Sequence, residues 1–173
     1  KYLEQTIKSV VEQGYSNLEY IIMDGGSTDG SVDIIKKYAA RYPQIIKWQS
    51  QKDKGQVDAI NQGIKKATGD IIAYINSDDY YLPGSFALVA DYFKEHKNSL
   101  WLVGDCRVSD PKLSWTFTLK HYWPVQSIKA ASYVLNTINQ PSVFLRKEIV
   151  DKVGLFNPEY PLSFDHEYWL RCV

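Results

Sequence analysis

The sequence predicts an α/β fold in which a mostly parallel sheet is covered by helices on both faces. Three features carry that expectation. Short, wholly apolar runs alternate with stretches of helical periodicity through the first half. Each run ends abruptly in residues rich in Asp, Gly, Asn and Ser, and the 173 residues suffice to bury a core without disulfide or metal staples.

In chain order, Leu3, Ile7, Val10 and Val11 recur at one-face helical spacing and predict a first helix. Leu18 to Met23 reads as a buried strand that stops at Asp24-Gly25-Gly26-Ser27-Thr28-Asp29-Gly30-Ser31. Val32, Ile35, Tyr38 and Ala39 predict a second helix, and Ile45 to Gln49 a second strand. After the polar loop Ser50 to Gly55, the apolar face Ala59, Ile60, Gly63, Ile64 and Ala67 predicts a third helix, which Gly69 terminates. The strand Ile71 to Ile75 then ends in Asn76-Ser77-Asp78-Asp79.

The second half is more antiparallel and aromatic. Trp101 to Val108 and Leu113 to Leu119 read as strands about the turn Ser109 to Lys112. Gln140 to Arg146 predicts another strand, Lys147 to Val153 a short helix, and Phe164 to Val173 a last helix. The chain opens at Lys1 inside a helical pattern, without an initiator Met, and closes without a helix cap. It therefore reads as an internal piece of a longer protein, a single domain truncated at both ends.

Composition narrows the function. Twenty Lys and Arg balance twenty Asp and Glu, so no global basic field gathers nucleic acid, and no nucleic-acid partner is expected. Cys106 and Cys172 form no disulfide or zinc pattern, so a reducing compartment is expected. No run of apolar residues is long enough to span a membrane. Gly-x-Ser-x-Gly, phosphate-loop and Gly-x-Gly-x-x-Gly motifs are absent.

Ligands of open α/β sheets collect beyond the carboxyl ends of the strands, where two acidic groups stand. Asp24 can accept a hydrogen bond from a nucleobase or ribose, and Gly25 and Gly26 let backbone approach a ligand; read alone, the segment is a tight strand-to-helix turn before it is a ligand site. Asp78 and Asp79 are adjacent hard-oxygen ligands whose repulsion a Mg²⁺ or Mn²⁺ ion relieves, against the alternative of a solvated turn before Pro83-Gly84. Asp165 is a candidate general base, whereas His166 and Glu167 read as a solvated helix face. Trp101, Trp115, Tyr122 and Trp123 read as core or interface aromatics before they read as a sugar-stacking platform.

Taken in order, Glu19 to Ser31, Asp53 to Gly63, Ala67 to Asp79 and Asp165 to Arg171 resemble the family 2 glycosyltransferases with the GT-A fold, a Rossmann-like mixed sheet. The resemblance implies an inverting, cation-dependent transferase using a nucleotide-sugar donor, most naturally a UDP-sugar, and a saccharide or lipid-linked acceptor. Residues 1–99 would be the donor half and 100–173 the acceptor half. By the resemblance, Asp24 contacts the base, Lys54 and the segment through Asn61 border the donor, Asp78 and Asp79 hold the divalent cation, and Asp165 deprotonates the acceptor hydroxyl. It further implies a cytoplasmic protein, with peripheral association at the inner face of the membrane, working in polysaccharide or glycan biosynthesis. Three departures stand out: Asn76 occupies the first acidic position of the cation motif, Phe164 replaces a glutamate, and the family's first strand would precede Lys1. The competing expectations are a non-catalytic nucleotide- or sugar-binding module of the same fold and a nucleotidyltransferase.

Overall fold

The computed structural model describes residues 2–110, 115–120 and 138–173. Helix α1 (Leu3–Val11) precedes strand β1 (Tyr20–Asp24), helix α2 (Ser31–Arg41) and strand β2 (Ile46–Ser50). Strands β1 and β2 pair in parallel, in a register that sets Asp24 beside Ser50 at the carboxyl end. Ile7 and Val11 of α1, Ile22 of β1, Ile35 and Tyr38 of α2 and Ile46 of β2 close one core. The predicted helical faces are therefore the buried ones.

Helix α3 (Gln56–Lys66), strand β3 (Ile71–Ile72) and helix α4 (Ser85–Glu95) follow. Strand β4 (Trp101–Val103) leads to a hairpin, β5 (Cys106–Asp110) with β6 (Trp115–Leu119). A 3₁₀ turn at Gln140–Ser142 opens strand β7 (Val143–Arg146), which runs into helix α5 (Lys147–Val153), and helix α6 (Phe164–Cys172) comes last. A second, larger core joins Val57, Ile72, Val143, Leu145, Ile149, Phe156, Phe164, Tyr168 and Trp169.

The chain is α/β, but the parallel majority is not what the described ladders contain. β1–β2 is parallel, while β7 lies antiparallel between β3 and β4, and β5–β6 is antiparallel. The apolar run Ile71 to Ile75 pairs over its first two residues alone. Beyond them it borders a cleft of about 1370 Å³ that separates it from β1 and is lined by Ile21, Met23, Ala73, Tyr74 and Ile75. Polypeptide apolarity reports burial, and burial against a cleft or a helix looks the same in sequence as burial in a ladder.

Two further differences are local. The run Trp101 to Val108 divides at Gly104, whose N–H leaves the strand to bond the Ser142 carbonyl at 2.9 Å, so β4 and β5 serve different sheets. Helix α4 goes unforeseen because its apolar residues are not confined to one side: Val89 and Phe93 are buried, whereas Leu88 is 73% exposed. Among the described residues, no helix is long and apolar enough to cross a membrane.

Candidate active site

The first acidic position is a self-contained turn. The backbone N–H groups of Gly26 and Ser27 donate to Asp24 Oδ2, each at 3.0 Å, and the Ser50 hydroxyl donates to the same oxygen at 2.6 Å. Oδ1 takes none of these three bonds. Burial pushes the Asp24 carboxyl up, but the hydrogen bonds from Ser27, Ser50 and Gly26 outweigh it and hold it below the usual carboxylate range. The turn and ligand readings of Asp24 are thus compatible, because these three turn bonds all fall on one oxygen. Gly25 is needed for a different reason: a Cβ there would meet Asp53 Oδ2 at 2.9 Å, so the 24–27 turn packs directly on the loop that enters α3.

The second acidic position is held from afar. Asp78 is exposed and Asp79 half-buried. Burial first, then the like charge of Asp78, pushes the Asp79 carboxyl up, against a lowering hydrogen bond from Asn76. Asn76 Nδ2 faces Asp79 Oδ2 at 3.4 Å and donates to Gln140 Oε1 at 3.1 Å. Gln56 Nε2 donates to Asn76 Oδ1 at 2.7 Å, and Gln140 Nε2 donates to the Tyr74 carbonyl at 2.6 Å. Three carboxamides from α3, the 76–79 loop and the turn before β7 therefore run head to tail behind the carboxylates. Gln140, 8% exposed and unforeseen in the sequence, ends that chain.

Among the described residues, no three His, Cys, Asp or Glu side chains gather as a metal cluster. Asp78 and Asp79 offer two hard oxygen donors. That set fits a Mg²⁺ or Mn²⁺ ion that takes its remaining ligands from phosphate and water, and relief of the charge on a half-buried carboxylate favours it.

Asp165 lies in the first turn of α6, where the helix dipole favours a carboxylate. The Tyr74 phenol links it to the cation loop: burial raises that phenol, and the charges of Asp165 and Asp79 both raise it further. Two carboxylates 86 residues apart in sequence, 165 against 79, thus act on one buried hydroxyl, which has no hydrogen-bond partner among the described residues.

The glycosyl transferase family 2 model matches residues 1–154. The chain belongs to glycosyl transferase family 2. Over 104 residues, 59% of this chain, it is 36% identical to the minor teichoic acid biosynthesis protein GgaB of Bacillus subtilis, of which it covers 12%. The S. aureus TarS structure in complex with UDP superposes with a TM-score of 0.71 at 20% identity, over 99% of this chain and 51% of that one. The mannosyltransferase PcManGT from Pyrobaculum calidifontis, in complex with GDP-Man and Mn²⁺, does so with a TM-score of 0.65 at 18% identity, over 90% and 44%. These likenesses establish the GT-A fold. The chain spans 51% to 64% of the length of curated relatives that match it over nine tenths or more of its own length.

Within this family 2 glycosyltransferase, the remaining expected residues divide. Lys54 is exposed at the entry to α3, and its backbone N–H donates to Asp58 at 3.1 Å, tying the entry loop to the first turn of that helix. Asn61 is corrected: it is buried, and its carboxamide exchanges two hydrogen bonds with the Phe156 backbone, 2.8 Å to the carbonyl and 3.0 Å from the N–H. Both ends of that side chain are occupied in tying α3 to the second core. Glu167 is no solvated face residue either, since it forms a bidentate ion pair with Arg171 at 2.7 and 3.0 Å. Arg171 also donates to the carbonyls of Val153 and Leu155, so the pair ties α6 to the loop after α5. His166 Nε2 is buried without a hydrogen-bond partner. Phe164 packs edge-on to Phe156 at 5.6 Å, and Trp101 stacks on Trp169 at 6.0 Å, so both are core residues. Cys106 and Cys172 are free thiols. Tyr122 and Trp123 lie outside the described residues, as does the side chain of Trp115.

Proposed function

We propose that this domain transfers a sugar from a nucleoside-diphosphate donor, UDP-linked, to a hydroxyl of a saccharide or lipid-linked acceptor, with inversion at the anomeric carbon. The observation that carries the reading is that Asn76 and Asp78, beyond the apolar run 71–75, line the same cleft as Met23 of β1 and Asp53 and Gln56 at the entry to α3; the charges of Asp79 and Asp165, which both raise the Tyr74 phenol, support it. The family and the nucleotide-bound neighbours TarS and PcManGT support the donor class, and the teichoic-acid relative supports a surface-polymer acceptor.

In this mechanism Asp24 Oδ1 accepts an N–H of the base while Oδ2 keeps the turn rigid. Lys54 supplies a mobile positive charge on the donor side. Asp78 and Asp79 hold a divalent cation, which when bound offsets the charge of the leaving diphosphate. Asp165 takes the proton of the acceptor hydroxyl as its oxygen attacks the anomeric carbon, a role for which an ionised carboxylate at a helix N-terminus is suited. The product nucleoside diphosphate leaves as an anion, so no protein acid is required. The cytoplasm, where nucleotide sugars are made, is the compartment this chemistry suits, with the acceptor presented at the membrane face.

Calorimetric titration of UDP and GDP, with and without Mn²⁺, into the full-length protein and its Asp79→Ala variant tests the reading. Mn²⁺-dependent UDP binding that Asp79→Ala abolishes is the expected result. Unchanged affinity in the variant removes Asp79 from the cation site, and donor binding without release of nucleoside diphosphate would make the protein a binding module.

A further inference from the structure

Thr6 is the one buried hydroxyl of α1, 1% exposed, and it lies 71 and 73 residues from the partners it meets. Its Oγ1 stands 2.9 Å from the Ser77 carbonyl oxygen and 2.7 Å from that of Asp79, with the Tyr2 carbonyl farther off at 3.4 Å, so its single proton is directed to the two carbonyls flanking Asp78. One turn on, the Ser9 hydroxyl accepts the Tyr81 N–H at 3.1 Å and donates to the Thr6 carbonyl at 2.8 Å. A further turn on, Gln13 donates to the Leu82 carbonyl at 3.0 Å and accepts the Phe86 N–H at 3.3 Å. Positions 6 and 9 share one face of α1, and Gln13 stands in the turn that follows the helix.

These three side chains meet the loop at five backbone points between residues 77 and 86, three carbonyls and two N–H groups. Residues 77–84 have no strand partner, and their own bonds are few: Asp79 N–H to the Asn76 carbonyl at 3.2 Å, then Ser85 N–H to that of Leu82. Without α1, the backbone that aims Asp78 and Asp79 would keep the Asn76 bond on one side and, on the other, the packing of Tyr81 on Phe86 and Phe144.

We propose that Thr6, Ser9 and Gln13 are positioning residues that set the cation loop, so that cation affinity depends on side chains contributing no ligand. The inference rests on the reading of Asp79 as a cation ligand. Thr6 carries the largest share, because it grips Asp79 itself and is shielded from water. Removing its hydroxyl leaves two carbonyls in a water-poor site without a donor.

The test has two readouts on the full-length protein. In metal-free protein, hydrogen–deuterium exchange of the 77–81 amides is compared among wild type, Thr6→Val and Thr6→Ser. In a second arm, Mn²⁺ affinity without nucleotide is measured by electron paramagnetic resonance for the same three and for Asp79→Asn. Thr6→Val is expected to speed the exchange and to weaken Mn²⁺ by about tenfold, the scale of lost support around a metal ligand, with Thr6→Ser restoring both. Unchanged exchange in Thr6→Val overturns the clamp, as does a Thr6→Ser variant as fast as Thr6→Val, which would make the role one of packing. Faster exchange with wild-type Mn²⁺ affinity overturns the link to the cation. If Asp79→Asn binds Mn²⁺ as well as wild type, the cation reading fails instead, and the exchange arm alone scores the clamp. Should Thr6→Val not fold, Ser9→Ala, at a half-buried position, is expected to speed exchange at Tyr81 about threefold, and no change there counts against the proposal.

Discussion

The Asp24 turn and the Asp79 loop stand at the ends of two apolar runs and look alike in sequence, yet they are built by opposite means. Asp24 is fixed by its own neighbours, Gly26 and Ser27, and by Ser50 across one ladder rung. Asp79 is fixed by Thr6, Asn76 and, through the amides, Gln140 and Gln56. The local assembly leaves its carboxylate acidic, whereas the long-range one leaves its carboxylate half-buried and hard to ionise. A rigid acceptor suits the first, and a group waiting for a positive partner suits the second.

The largest expected effect concerns the third carboxylate, Asp165 in the first turn of α6, which the proposed mechanism sets against the acceptor hydroxyl. Asp165→Asn should lower kcat by about 10²–10⁴-fold, roughly 3–5 kcal/mol, with nucleotide affinity unchanged. Steady-state transfer assays beside nucleotide titration separate the two, and a loss under tenfold would remove Asp165 from the general-base role.

Next in size, the tether between the donor-side helix and the second core can be cut. Asn61→Ala should cost about 3 kcal/mol of stability, since it strands the Phe156 N–H and carbonyl in a buried place. Denaturant midpoints measure it, and a cost near zero would mean that α3 needs no such tie.

The two carboxylates should then respond to pH in opposite senses. Asp24 is more acidic folded than unfolded, so its stabilisation is present above the ordinary range near about pH 4 and is lost as pH falls through its lower folded value. Asp79 is harder to ionise when folded, so it costs nothing below that range and penalises the metal-free fold once pH rises through its higher folded value. Asp24→Asn should lower Tm at pH 7 and Asp79→Asn should raise it, each by on the order of 2–4 °C. Shifts of the same sign in thermal melts would erase the contrast. The smallest effect is Ser50→Ala, about 0.5 kcal/mol, read from the same melts and confined to pH values where Asp24 is ionised.

Legibility in the sequence follows the same division. Glycine, serine and aspartate in fixed order announce the Asp24 turn because its bonds are made within four residues. The place of Asp78 and Asp79 is equally plain, at the end of an apolar run. What holds them is not, because Thr6 reads as one polar residue in an amphipathic helix and Gln140 as the start of a strand. The β3–β7 antiparallel pairing was hidden for a related reason: Ile71 and Ile72 are apolar whichever way their neighbour runs. Asn61 misled because its polar side chain, beside the donor loop in sequence, turns inward to Phe156.

The three carboxamides have a direction. The Tyr74 carbonyl at their end can only accept, so Gln140 must present its nitrogen there and its oxygen to Asn76. Asn76 must in turn present its NH₂ to Gln140 and Asp79, and its oxygen to Gln56. An aspartate at position 76 would set acceptor against acceptor at Gln140 and charge against charge at Asp79. Asparagine at the head of this motif is therefore a polarity choice: the fold needs a donor where an acid would supply another acceptor.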